Sequence, residues 1–484
     1  MGAPVDAGSI AAAIPERLLV GITGDGTVVV DDLSHDSRDV RPGCAFACVV
    51  GERSDGHDFA EAAVRDGAVL LLVERELPLD VVQIVVTDVR LAMGPAAAVV
   101  HGHPSRSLRL VGITGTNGKT TTAHMLAAIL RSHGLTERTL GTLSGARTTP
   151  EAPDLQRRLA EYVAAGVDAV VMEVSSHAMV YHRVDGTEFD VVAFTNLGRD
   201  HLDLHESMES YFRAKAALFD PSLATRGAAN TDDPYGQLLL DAASIEMTGF
   251  GREQVSEVEV GVAHHDFTWR DVRVHVPLGG DFNVMNSLAA LTVANLLGIS
   301  PADAADGLAT VDAVPGRFET VSDPCRHSVT VVVDYAHTPD GLDELLRAGR
   351  RLVPDGRLIA VFGCAGDRDV EKRAPMGAVG ARLADVPIVT SDNPRGEDPR
   401  AIVDQVVDGA EPADRAKVHA EVDRRAAIAH AIRAAGPGDL VVVAGKGHET
   451  TQTIGGESRP FDDRVVSREL LDELAATDMT GEPS

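Results

Sequence analysis

Short apolar runs alternate with amphipathic stretches along most of this chain of 484 residues. In the middle of the chain, apolar runs at residues 110–113, 169–172 and 191–194 are separated by helical patterns at residues 120–133 and 152–165. Fully apolar strands that alternate with helices are typical of a parallel sheet with helices on both faces. The pattern therefore predicts a doubly wound α/β unit in this region.

The same alternation continues on both sides of this unit. Toward the N-terminus, a β-rich run at residues 81–86 and an alanine-rich helical stretch at residues 59–66 predict a small α/β unit. Toward the C-terminus, apolar runs again alternate with helical patterns and predict a third α/β unit. These runs lie at residues 329–333, 358–362, 388–390 and 440–443. Residues 477–484 are predicted to be disordered.

Turn residues mark two boundaries between these units. His103-Pro104-Ser105-Arg106 is predicted to be a linker, because the residue before a proline avoids the helical conformation. After a further helical pattern at residues 286–297, Val314-Pro315-Gly316-Arg317 marks the second boundary. The chain is too long for one hydrophobic core. We predict three domains, at residues 1–107, 108–315 and 316–484.

Composition narrows the class of partner. The chain has 44 basic and 73 acidic residues and a net charge of −29. This charge disfavours nucleic acid and anionic membranes, so we expect small-molecule partners and a monomer. Cys44 and Cys48 lack a second cysteine pair at zinc-ligand spacing, and no apolar run approaches the ~18 residues that span a bilayer. The N-terminus also lacks a signal-peptide pattern, and we expect a cytoplasmic protein.

The strongest chemical signal is a glycine-rich turn between a predicted strand and a predicted helix. Residues 110–122 read Leu-Val-Gly-Ile-Thr-Gly-Thr-Asn-Gly-Lys-Thr-Thr-Thr. Glycines allow backbone N–H groups to approach phosphate oxygens, Lys119 can neutralise phosphate charge, and Thr120 can offer its hydroxyl to Mg²⁺. A common NTPase loop would have glycine at position 113, where this chain has Ile113. The sequence therefore predicts ATP binding by a variant loop.

Polar residues also follow the other strands of the middle unit. Glu173 directly follows one apolar run, and the charged segment at residues 196–203 follows the next. Open α/β sheets bind ligands beyond the carboxyl ends of their strands. Mg²⁺ prefers a few carboxylates together with water and substrate phosphates, so Glu173 is a candidate magnesium ligand. A solvated glutamate at a strand end is the alternative.

The predicted strands of the C-terminal unit end in a second polar set. The segments that follow them are residues 334–339, 363–368, 391–395 and 445–449. Arg368 and Arg395 can bind carboxylates through two-point contacts, whereas Glu449 suits an ammonium group. A rim that carries both kinds of charge predicts a zwitterionic amino acid as ligand. Arg368 could instead pair with Asp367 or Asp369 at the surface.

These motifs, in this order, resemble the Mur ligase family of ATP-dependent, amide-forming enzymes of peptidoglycan assembly. The resemblance covers nearly the whole chain. The motifs that carry it are Gly115-Thr116-Asn117-Gly118-Lys119-Thr120-Thr121, Glu173-Val174-Ser175-Ser176-His177, residues 196–203, Asn283 with Asn286, Pro315-Gly316-Arg317 and Asp334-Tyr335-Ala336-His337. The motifs that resemble its MurE branch are Asp36-Ser37-Arg38, Asp55-Gly56-His57-Asp58-Phe59, Thr148-Thr149-Pro150-Glu151 and Asp392-Asn393-Pro394-Arg395.

The resemblance implies a three-domain α/β fold with a small N-terminal domain, a central P-loop-like ATPase domain with a parallel sheet, and a Rossmann-like C-terminal domain. It also assigns site residues. Implied ATP contacts are Gly115, Thr116, Asn117, Gly118, Lys119, Thr120, Thr121, Asn283, Asn286, Arg317, Asp334 and His337. Implied contacts to the UDP-sugar-peptide are Ser34, Ser37, Arg38, Thr148, Thr149, Ser175 and Arg183. Implied amino-acid contacts are Arg368, Asp392, Asn393, Pro394, Arg395, Gly445 and Glu449.

The catalytic and metal-binding residues are also implied by the resemblance. The catalytic set is Lys119, Glu173, His201 and Lys215, and the magnesium-associated set is Thr120, Glu173, His201 and Lys215, with Lys215 as a carbamate. Spacing alone would place Lys215 at a solvated helix position.

The implied reaction uses ATP to join meso-diaminopimelate to UDP-N-acetylmuramoyl-L-alanyl-D-glutamate, in a pathway that supports the cell wall, cell shape and cell division. A carboxylate is a poor electrophile, so the γ-phosphoryl group is first transferred to it, and the amine then attacks the acyl phosphate. Arg395 would lack a partner if lysine replaced diaminopimelate, because lysine has no distal carboxylate.

Three alternatives stay open at this point. One is a related ligase that adds L-lysine or another amino acid, and Gly198, Ala365, Tyr181 and residues 371–375 do depart from the usual pattern of the branch. A second is a folylpolyglutamate synthetase, which would not need the first domain. The third is a non-catalytic ATP-binding regulator, which the joint presence of the four implied catalytic residues disfavours.

Overall fold

The computed structural model describes residues 5–51, 54–145 and 147–480, and these residues form three α/β units, each with its own main sheet. The N-terminal unit has a five-stranded sheet in the order β2-β7-β6-β5-β4, in which only β2 is antiparallel to its neighbour. Its elements are β1 (Val5–Asp6), α1 (Ala7–Ala13), β2 (Leu19–Thr23), β3 (Val29–Val30), β4 (Asp32–Ser34), β5 (Cys44–Ala47), α2 (Ala60–Arg65), β6 (Leu70–Val73), β7 (Val82–Val86) and α3 (Val89–Val100).

The middle unit is built on a six-stranded, fully parallel sheet in the order β13-β12-β11-β8-β10-β9. Its strands are β8 (Arg109–Thr114), β9 (Glu137–Leu140), β10 (Ala169–Glu173), β11 (Val191–Phe194), β12 (Arg226–Asn230), β13 (Glu246–Phe250) and an antiparallel set of β14 (Val255–Val260), β15 (His265–Trp269) and β16 (Val272–Val276). Its helices are α4 (Lys119–Ser132), α5 (Ala152–Ala164), α6 (Ser176–Val180), α7 (Leu202–His205), α8 (Met208–Ala216), α9 (Pro234–Ala242), α10 (Phe282–Leu296) and α11 (Pro301–Leu308).

Burial on both faces explains the continuous apolar strands of this sheet. Val111 and Ile113 of β8 pack into the core that contains α4 and α10, whereas Leu110 packs into the core on the opposite face. The order of the strands also reverses around β8, since β10 lies on one side of it and β11 on the other. A ligand site is expected beyond the carboxyl ends of strands at such a reversal.

The C-terminal unit repeats this plan with a sheet in the order β17-β18-β22-β19-β20-β21, in which β17 alone is antiparallel. Its strands are β17 (Glu319–Thr320), β18 (Thr330–Asp334), β19 (Leu358–Phe362), β20 (Val386–Val389), β21 (His419–Ala420), β22 (Leu440–Ala444) and the hairpin pair β23 (Thr451–Ile454) and β24 (Glu457–Pro460). Its helices are α12 (Pro339–Leu352), α13 (Arg373–Leu383), α14 (Pro399–Asp408), α15 (Pro412–Arg415), α16 (Arg424–Ala434) and α17 (Asp463–Thr480).

The predicted α/β alternation is confirmed, with a few local differences. The predicted linker at residues 103–106 is a packed 3₁₀ turn, Pro104–Ser107, in which Pro104 and Ser105 are buried. The helix predicted from residue 286 begins at Phe282, because Asn283 and Val284 continue its buried face toward the N-terminus. Disorder is wrong for residues 477–480, which continue α17, while 481–484 lie outside the described residues. Across the described ranges, no helix is both long and apolar enough to cross a membrane.

A histidine is buried in the core between the antiparallel strands and α10. His265 is fully buried, with Nδ1 2.5 Å from the backbone oxygen of Leu278 and Nε2 2.9 Å from Ser287 Oγ. Burial lowers the pKa of His265 from 6.5 to about 4. The folded protein therefore favours the neutral imidazole, with Nδ1–H donating to Leu278 and Nε2 accepting from Ser287.

We expect His265 to make the stability of the protein depend on pH between 6.5 and 4. Because the folded-state pKa is depressed, its contribution is complete above pH 6.5 and is lost as the pH falls, by up to about 3 kcal/mol at about 1.4 kcal/mol per unit. Urea unfolding across this range should show a smaller loss of unfolding free energy in His265→Gln than in the unaltered protein. Equal losses in the two proteins would contradict this assignment.

Candidate active site

The glycine-rich loop between β8 and α4, residues 115–118, is the phosphate loop predicted from the sequence, and it packs closely against its surroundings. Gly115 has φ of 147° and Gly118 has φ of 85°, backbone angles that residues with a side chain rarely adopt. A Cβ at Gly115 would meet Thr195 Oγ1, and one at Gly118 would meet Asn286 Oδ1. Glycine is required at both positions, because the loop lies directly on β11 and α10.

Lys119 begins α4 and spans this loop. Its Nζ donates to the backbone oxygens of Gly115 at 2.8 Å and Thr116 at 2.9 Å. Burial lowers the pKa of Lys119, and the negative charges of Glu173 and Asp200 oppose that effect. Neutral carbonyls are weaker partners for an ammonium than anions are. The arrangement therefore suits replacement of these contacts by phosphate oxygens.

Glu173 ends β10 and is buried among hydroxyl and amide donors. Its Oε2 accepts from Thr120 Oγ1 at 3.0 Å and from Thr142 Oγ1 at 3.2 Å, and its Oε1 accepts from the backbone N–H of Thr142 at 2.9 Å. Only 3% of the residue is exposed. The alternative of a solvated strand-end glutamate is therefore wrong.

The oxygen donors of Thr120 and Glu173 fit a magnesium ion that arrives with a nucleotide. Mg²⁺ takes oxygen ligands and usually keeps waters and substrate phosphates in its shell. Within the part of the chain that the structure describes, no group of three or more His, Cys, Asp or Glu side chains is placed to hold a metal. The protein alone thus supplies a partial shell, and phosphate oxygens and water would have to complete it.

Asp200 and His201 follow β11 on the other side of the loop. His201 Nε2 lies 3.4 Å from Asp200 Oδ2, and its ring meets the ring of His177 edge-on at a centroid distance of 4.6 Å. Although 43% of the His201 side chain is exposed, partial burial of the ring lowers its pKa to about 4, which favours the neutral imidazole. A neutral imidazole can accept a metal or a proton, but the contact that the structure shows is with Asp200, which the sequence analysis did not include in the site.

Lys215 reaches the same loop from α8. Only 1% of the residue is exposed; its Nζ donates to the backbone oxygen of Gly115 at 2.7 Å and lies 4.5 Å from the centroid of the Tyr211 ring. Burial, followed by the charge of Lys119, lowers the pKa of Lys215 well below its usual value. The solvated position expected from spacing alone is wrong, because α8 turns Tyr211, Phe212 and Lys215 inward.

Residues of the C-terminal unit close the cleft above the loop. The Arg317 guanidinium lies 4.3 Å from the centroid of the Tyr335 ring, and its Nη2 is 3.4 Å from Thr120 Oγ1. Asp334 accepts from the backbone N–H groups of Phe318 and Ala336, both at 2.7 Å, and burial raises its pKa. Arg317 thus links the third unit to Thr120 in the first turn of α4, beside the phosphate loop.

The cleft between the two units, hereafter the main cleft, has a volume of about 280 Å³. Its lining comprises residues 116–121, Thr142, Thr148, Glu173, Ser175, Asp200, His201, Phe282 and Asn286 from the middle unit, and Arg317, residues 334–338, Gly341, Glu344 and Leu345 from the C-terminal unit. Asn283 is buried behind the lining and accepts at Oδ1 from Asn286 Nδ2 at 2.9 Å. Nearly all residues predicted to bind ATP therefore meet here, with Asn283 supporting Asn286 from behind.

The residues predicted to bind the UDP-sugar-peptide divide between two cavities. Ser37 and Arg38 line a cavity of about 590 Å³ on the N-terminal unit, and the buried Ser34 donates from Oγ to the backbone oxygen of Asp36 beside it. Thr148 and Ser175 instead line the main cleft. An elongated ligand would have to bridge both cavities to meet all of these residues.

Thr149 and Arg183 lie between these cavities. Thr149 Oγ1 donates to the backbone oxygen of Glu173 at 2.8 Å and accepts from the N–H of Ser175 at 3.1 Å. Arg183 donates to the backbone oxygen of Thr149 at 3.4 Å and forms an ion pair of 2.9 Å with Glu151. Both residues therefore fix the strand end that carries Glu173.

The polar strand ends of the C-terminal unit form one surface, here called the rim, made of residues 363–368, 391–395 and 445–449. Gly366 approaches Pro394 and Gly445 approaches Asp392 so closely that a Cβ at either glycine would collide. Arg395 has φ of 53° and donates from Nη1 to the backbone oxygen of Gly366 at 3.0 Å. The rim residues predicted to bind an amino acid are thus brought together.

The surroundings of Glu449 and Arg368 determine how these two rim residues present their charges. Asn393 Nδ2 donates to Glu449 Oε2 at 2.7 Å, which fixes one oxygen of that carboxylate. Arg368 is exposed, and among the described residues it has no ion-pair partner within 4 Å, so the alternative of a surface pair with Asp367 or Asp369 is not formed.

Three cations buried beneath the rim were missed by the sequence analysis. Arg373 pairs with Glu397 at 2.8 Å, Arg424 pairs with Asp463 at 2.7 Å, and Lys446 pairs with Glu449 at 2.9 Å; these three cations are 2% exposed or less. Arg424 also donates to the backbone oxygen of Ser391, which begins one rim segment, and to that of Ala444, which precedes another. A basic residue within two positions of an apolar strand, as for Lys446, or in the first turn of a helix, as for Arg373 and Arg424, could have indicated them in the sequence.

Known proteins similar to this chain were compared with it at the levels of family, sequence and structure. The family model "Mur ligase middle domain" matches residues 113–294, "Mur ligase, glutamate ligase domain" matches residues 316–447, and "Mur ligase family, catalytic domain" matches residues 30–110. The chain is 44% identical to the UDP-N-acetylmuramoyl-L-alanyl-D-glutamate--2,6-diaminopimelate ligase of Streptomyces avermitilis, over 96% of each chain. It is 45% identical to the ligase of the same name from Streptomyces coelicolor, over 92% of this chain and 93% of that one.

Solved structures agree with these matches. A UDP-N-acetylmuramoyl-L-alanyl-D-glutamate--2,6-diaminopimelate ligase structure is 32% identical, with a TM-score of 0.68 over 98% of this chain and 99% of that one. A folylpolyglutamate synthase from Mycobacterium tuberculosis, in complex with ADP and AMPPCP, is 20% identical, with a TM-score of 0.58 over 81% of this chain and 95% of that one. At that identity, the second likeness shows the fold alone.

Proposed function

This chain belongs to the Mur ligase family, and from that premise we propose that it joins meso-diaminopimelate to UDP-N-acetylmuramoyl-L-alanyl-D-glutamate in peptidoglycan precursor synthesis. ATP drives the reaction and yields ADP and phosphate. The observation that carries the proposal is the main cleft, where the phosphate loop, Glu173 and Arg317 meet next to the rim. Full-length relatives at 44–45% identity that are named for this activity support it.

The first step is transfer of the γ-phosphoryl group to the side-chain carboxylate of the glutamate. A carboxylate oxygen bonds to the γ-phosphorus, the bond to ADP breaks, and an acyl phosphate results. Both reactants are anionic, so Lys119 and Arg317 must bind phosphate oxygens and reduce their repulsion. Thr120 and Glu173 would hold Mg²⁺, which neutralises phosphate charge when bound.

The second step is attack of the amine on the acyl phosphate. The nitrogen bonds to the carbonyl carbon, phosphate leaves with the electrons of the C–O bond, and the amine loses a proton. Tyr335 joins the two parts of the site, because its ring lies 4.3 Å from the Arg317 guanidinium and 5.0 Å from the His448 ring. An amino acid held at the rim beside Glu449 therefore lies next to the main cleft.

The proposed amino acid is meso-diaminopimelate because the rim pairs opposite charges. Arg395 offers a guanidinium for the distal carboxylate, and Asp392 and Glu449 suit ammonium groups. Lysine would leave Arg395 without an anionic partner. A folylpolyglutamate synthetase is disfavoured because the matched family regions include residues 30–110 of the N-terminal unit.

The remaining parts of the proposal concern organisation and setting. We place the domain limits at residues 1–107, 108–315 and 316–484. The carrier substrate is proposed to lie along Ser37, Arg38, Thr148 and Arg183. We also propose that the protein is a monomer in the cytoplasm. The net charge of −29 supports small-molecule substrates and argues against nucleic acid or membrane partners.

We expect phosphate release only when the UDP-muramoyl dipeptide, meso-diaminopimelate, ATP and Mg²⁺ are all present. A panel of amino acids should give meso-diaminopimelate a kcat/KM at least about 100-fold above that of L-lysine, since one unpaired charge costs several kcal/mol. Lys119→Ala should reduce kcat at least about 100-fold, whereas Arg131→Ala on the exposed part of the same helix should not. Preferred turnover of lysine would refute the role given to Arg395.

Lys215 is proposed to act as a carbamate. Formation of a carbamate needs the neutral amine, which attacks CO₂ and releases a proton, and the low pKa of the buried Lys215 favours that form at pH 7. The product is an anion directed at the phosphate loop, where Nζ now contacts Gly115.

We therefore expect Lys215→Ala to lose at least about 100-fold in kcat and to recover activity when short carboxylic acids are added to the assay. Added formate or acetate would replace the missing carboxylate in the space left by the side chain. The same acids should not rescue Lys119→Ala, whose missing group is a cation. Absence of rescue in Lys215→Ala at every acid concentration would count against the carbamate.

A further inference from the structure

Lys446 follows β22 and is completely buried beneath the rim. Its Nζ donates to the backbone oxygen of Thr451 at 2.7 Å, to Glu449 Oε2 at 2.9 Å and to Asn393 Oδ1 at 3.4 Å. Three acceptors match the three protons of an ammonium group. The buried charge is therefore fully compensated, and no part of Lys446 is exposed to a substrate.

Lys446 and Asn393 together fix one oxygen of Glu449. Asn393 donates to Glu449 Oε2 at 2.7 Å and is itself held by the N–H of Thr453, which donates to Asn393 Oδ1 at 3.0 Å. Glu449 Oε1 accepts no hydrogen bond from any of the described residues, and 34% of the side chain is exposed. The carboxylate thus presents one oxygen in a fixed orientation.

Glu449 is also kept ionised by this arrangement. Burial alone would raise its pKa, but the Lys446 ammonium and the Asn393 amide outweigh burial and lower the pKa below its usual value. A carboxylate in this state can accept a hydrogen bond from a substrate ammonium at the oxygen that the protein leaves free.

The charge of Lys446 also balances the rim. Asp367, Asp392 and Glu449 contribute three negative charges to the rim, and Arg368, Arg395 and Lys446 contribute three positive ones. Diaminopimelate carries two carboxylates and two ammonium groups and has no net charge, whereas lysine has a net charge of +1. A rim without Lys446 would have a net negative charge and would attract the cationic amino acid more strongly.

We propose that Lys446 is a positioning residue for the amino-acid substrate, which orients Glu449 and, by its buried charge, favours the electroneutral diamino diacid over cationic lysine. This inference rests on the proposed function and extends it to a residue that cannot touch the substrate. Its effect on the orientation of the substrate must therefore pass through Glu449, and its effect on selectivity through the net charge of the rim.

The test is a mutant cycle with Lys446→Met, Glu449→Gln and the double variant. Lys446→Met should raise the KM for meso-diaminopimelate at least about tenfold and change kcat and the KM of ATP less than about threefold. It should also shift the ratio of kcat/KM values at least about tenfold toward lysine. The double variant should bind no worse than Glu449→Gln, because both changes remove the same contact.

The chain offers a matched control in Lys417→Met. Lys417 lies in the same unit, is partly exposed, and pairs with Asp414, also three residues away, at 3.3 Å. This variant should leave all constants within about twofold. Unchanged KM and unchanged selectivity in folded Lys446→Met, or fully additive losses in the cycle, would overturn the inference. Thermal melting establishes whether Lys446→Met is folded. If it is not, Lys446→Gln provides the same test of selectivity, because glutamine keeps a hydrogen-bond donor without the charge.

A crystal structure of the Lys446 variant separates this inference from the proposed function. The Glu449 carboxylate should turn away from Asn393 once the Lys446 ammonium is removed. An unmoved carboxylate would overturn the positioning role. If the unaltered enzyme forms no amide with any amino acid, the proposed function fails, while the crystal structure still decides whether Lys446 orients Glu449.

Discussion

The burial of cations around one glycine loop is the constraint on which the main cleft depends. With a net charge of −29, the protein can hold a triphosphate only where it concentrates positive charge locally. Lys119 and Lys215 both donate to the backbone oxygen of Gly115, and Arg317 approaches the adjacent Thr120 from another unit. A backbone carbonyl of the loop thus accepts from two ammonium groups, which phosphate oxygens would bind in a nucleotide complex.

The topology of the two large sheets explains why these cations meet. In the middle sheet, β8 lies between β10 and β11, so the loop, Glu173 and the Asp200 segment share one edge. In the C-terminal sheet, the neighbouring parallel strands β22, β19 and β20 place the rim along one edge in the same way. Tyr335 at the end of β18 contacts both regions. Two sheets that are each typical of the α/β class therefore make one composite site.

Much of this arrangement could be predicted from local sequence. Apolar runs located the central strands, and the glycines around Lys119 located the close-packed loop between β8 and α4, because both signals lie within a few residues. The burial of Lys215 could not be predicted, since it depends on how α8 packs against a loop 100 residues earlier. Lys446 escaped notice for the same reason, because its acceptors include Asn393, 53 residues away. Distant partners, rather than spacing, decided the roles of these lysines.

The function that we propose requires the main cleft to bring a substrate carboxylate into bonding contact with the γ-phosphorus. Mass spectrometry of the released phosphate tests this contact when both oxygens of the glutamate side-chain carboxylate in the UDP-muramoyl dipeptide are ¹⁸O. We expect one labelled oxygen in the phosphate of each turnover, because that oxygen leaves with phosphorus when the amine attacks. Phosphate without label, formed together with the amide, would contradict it.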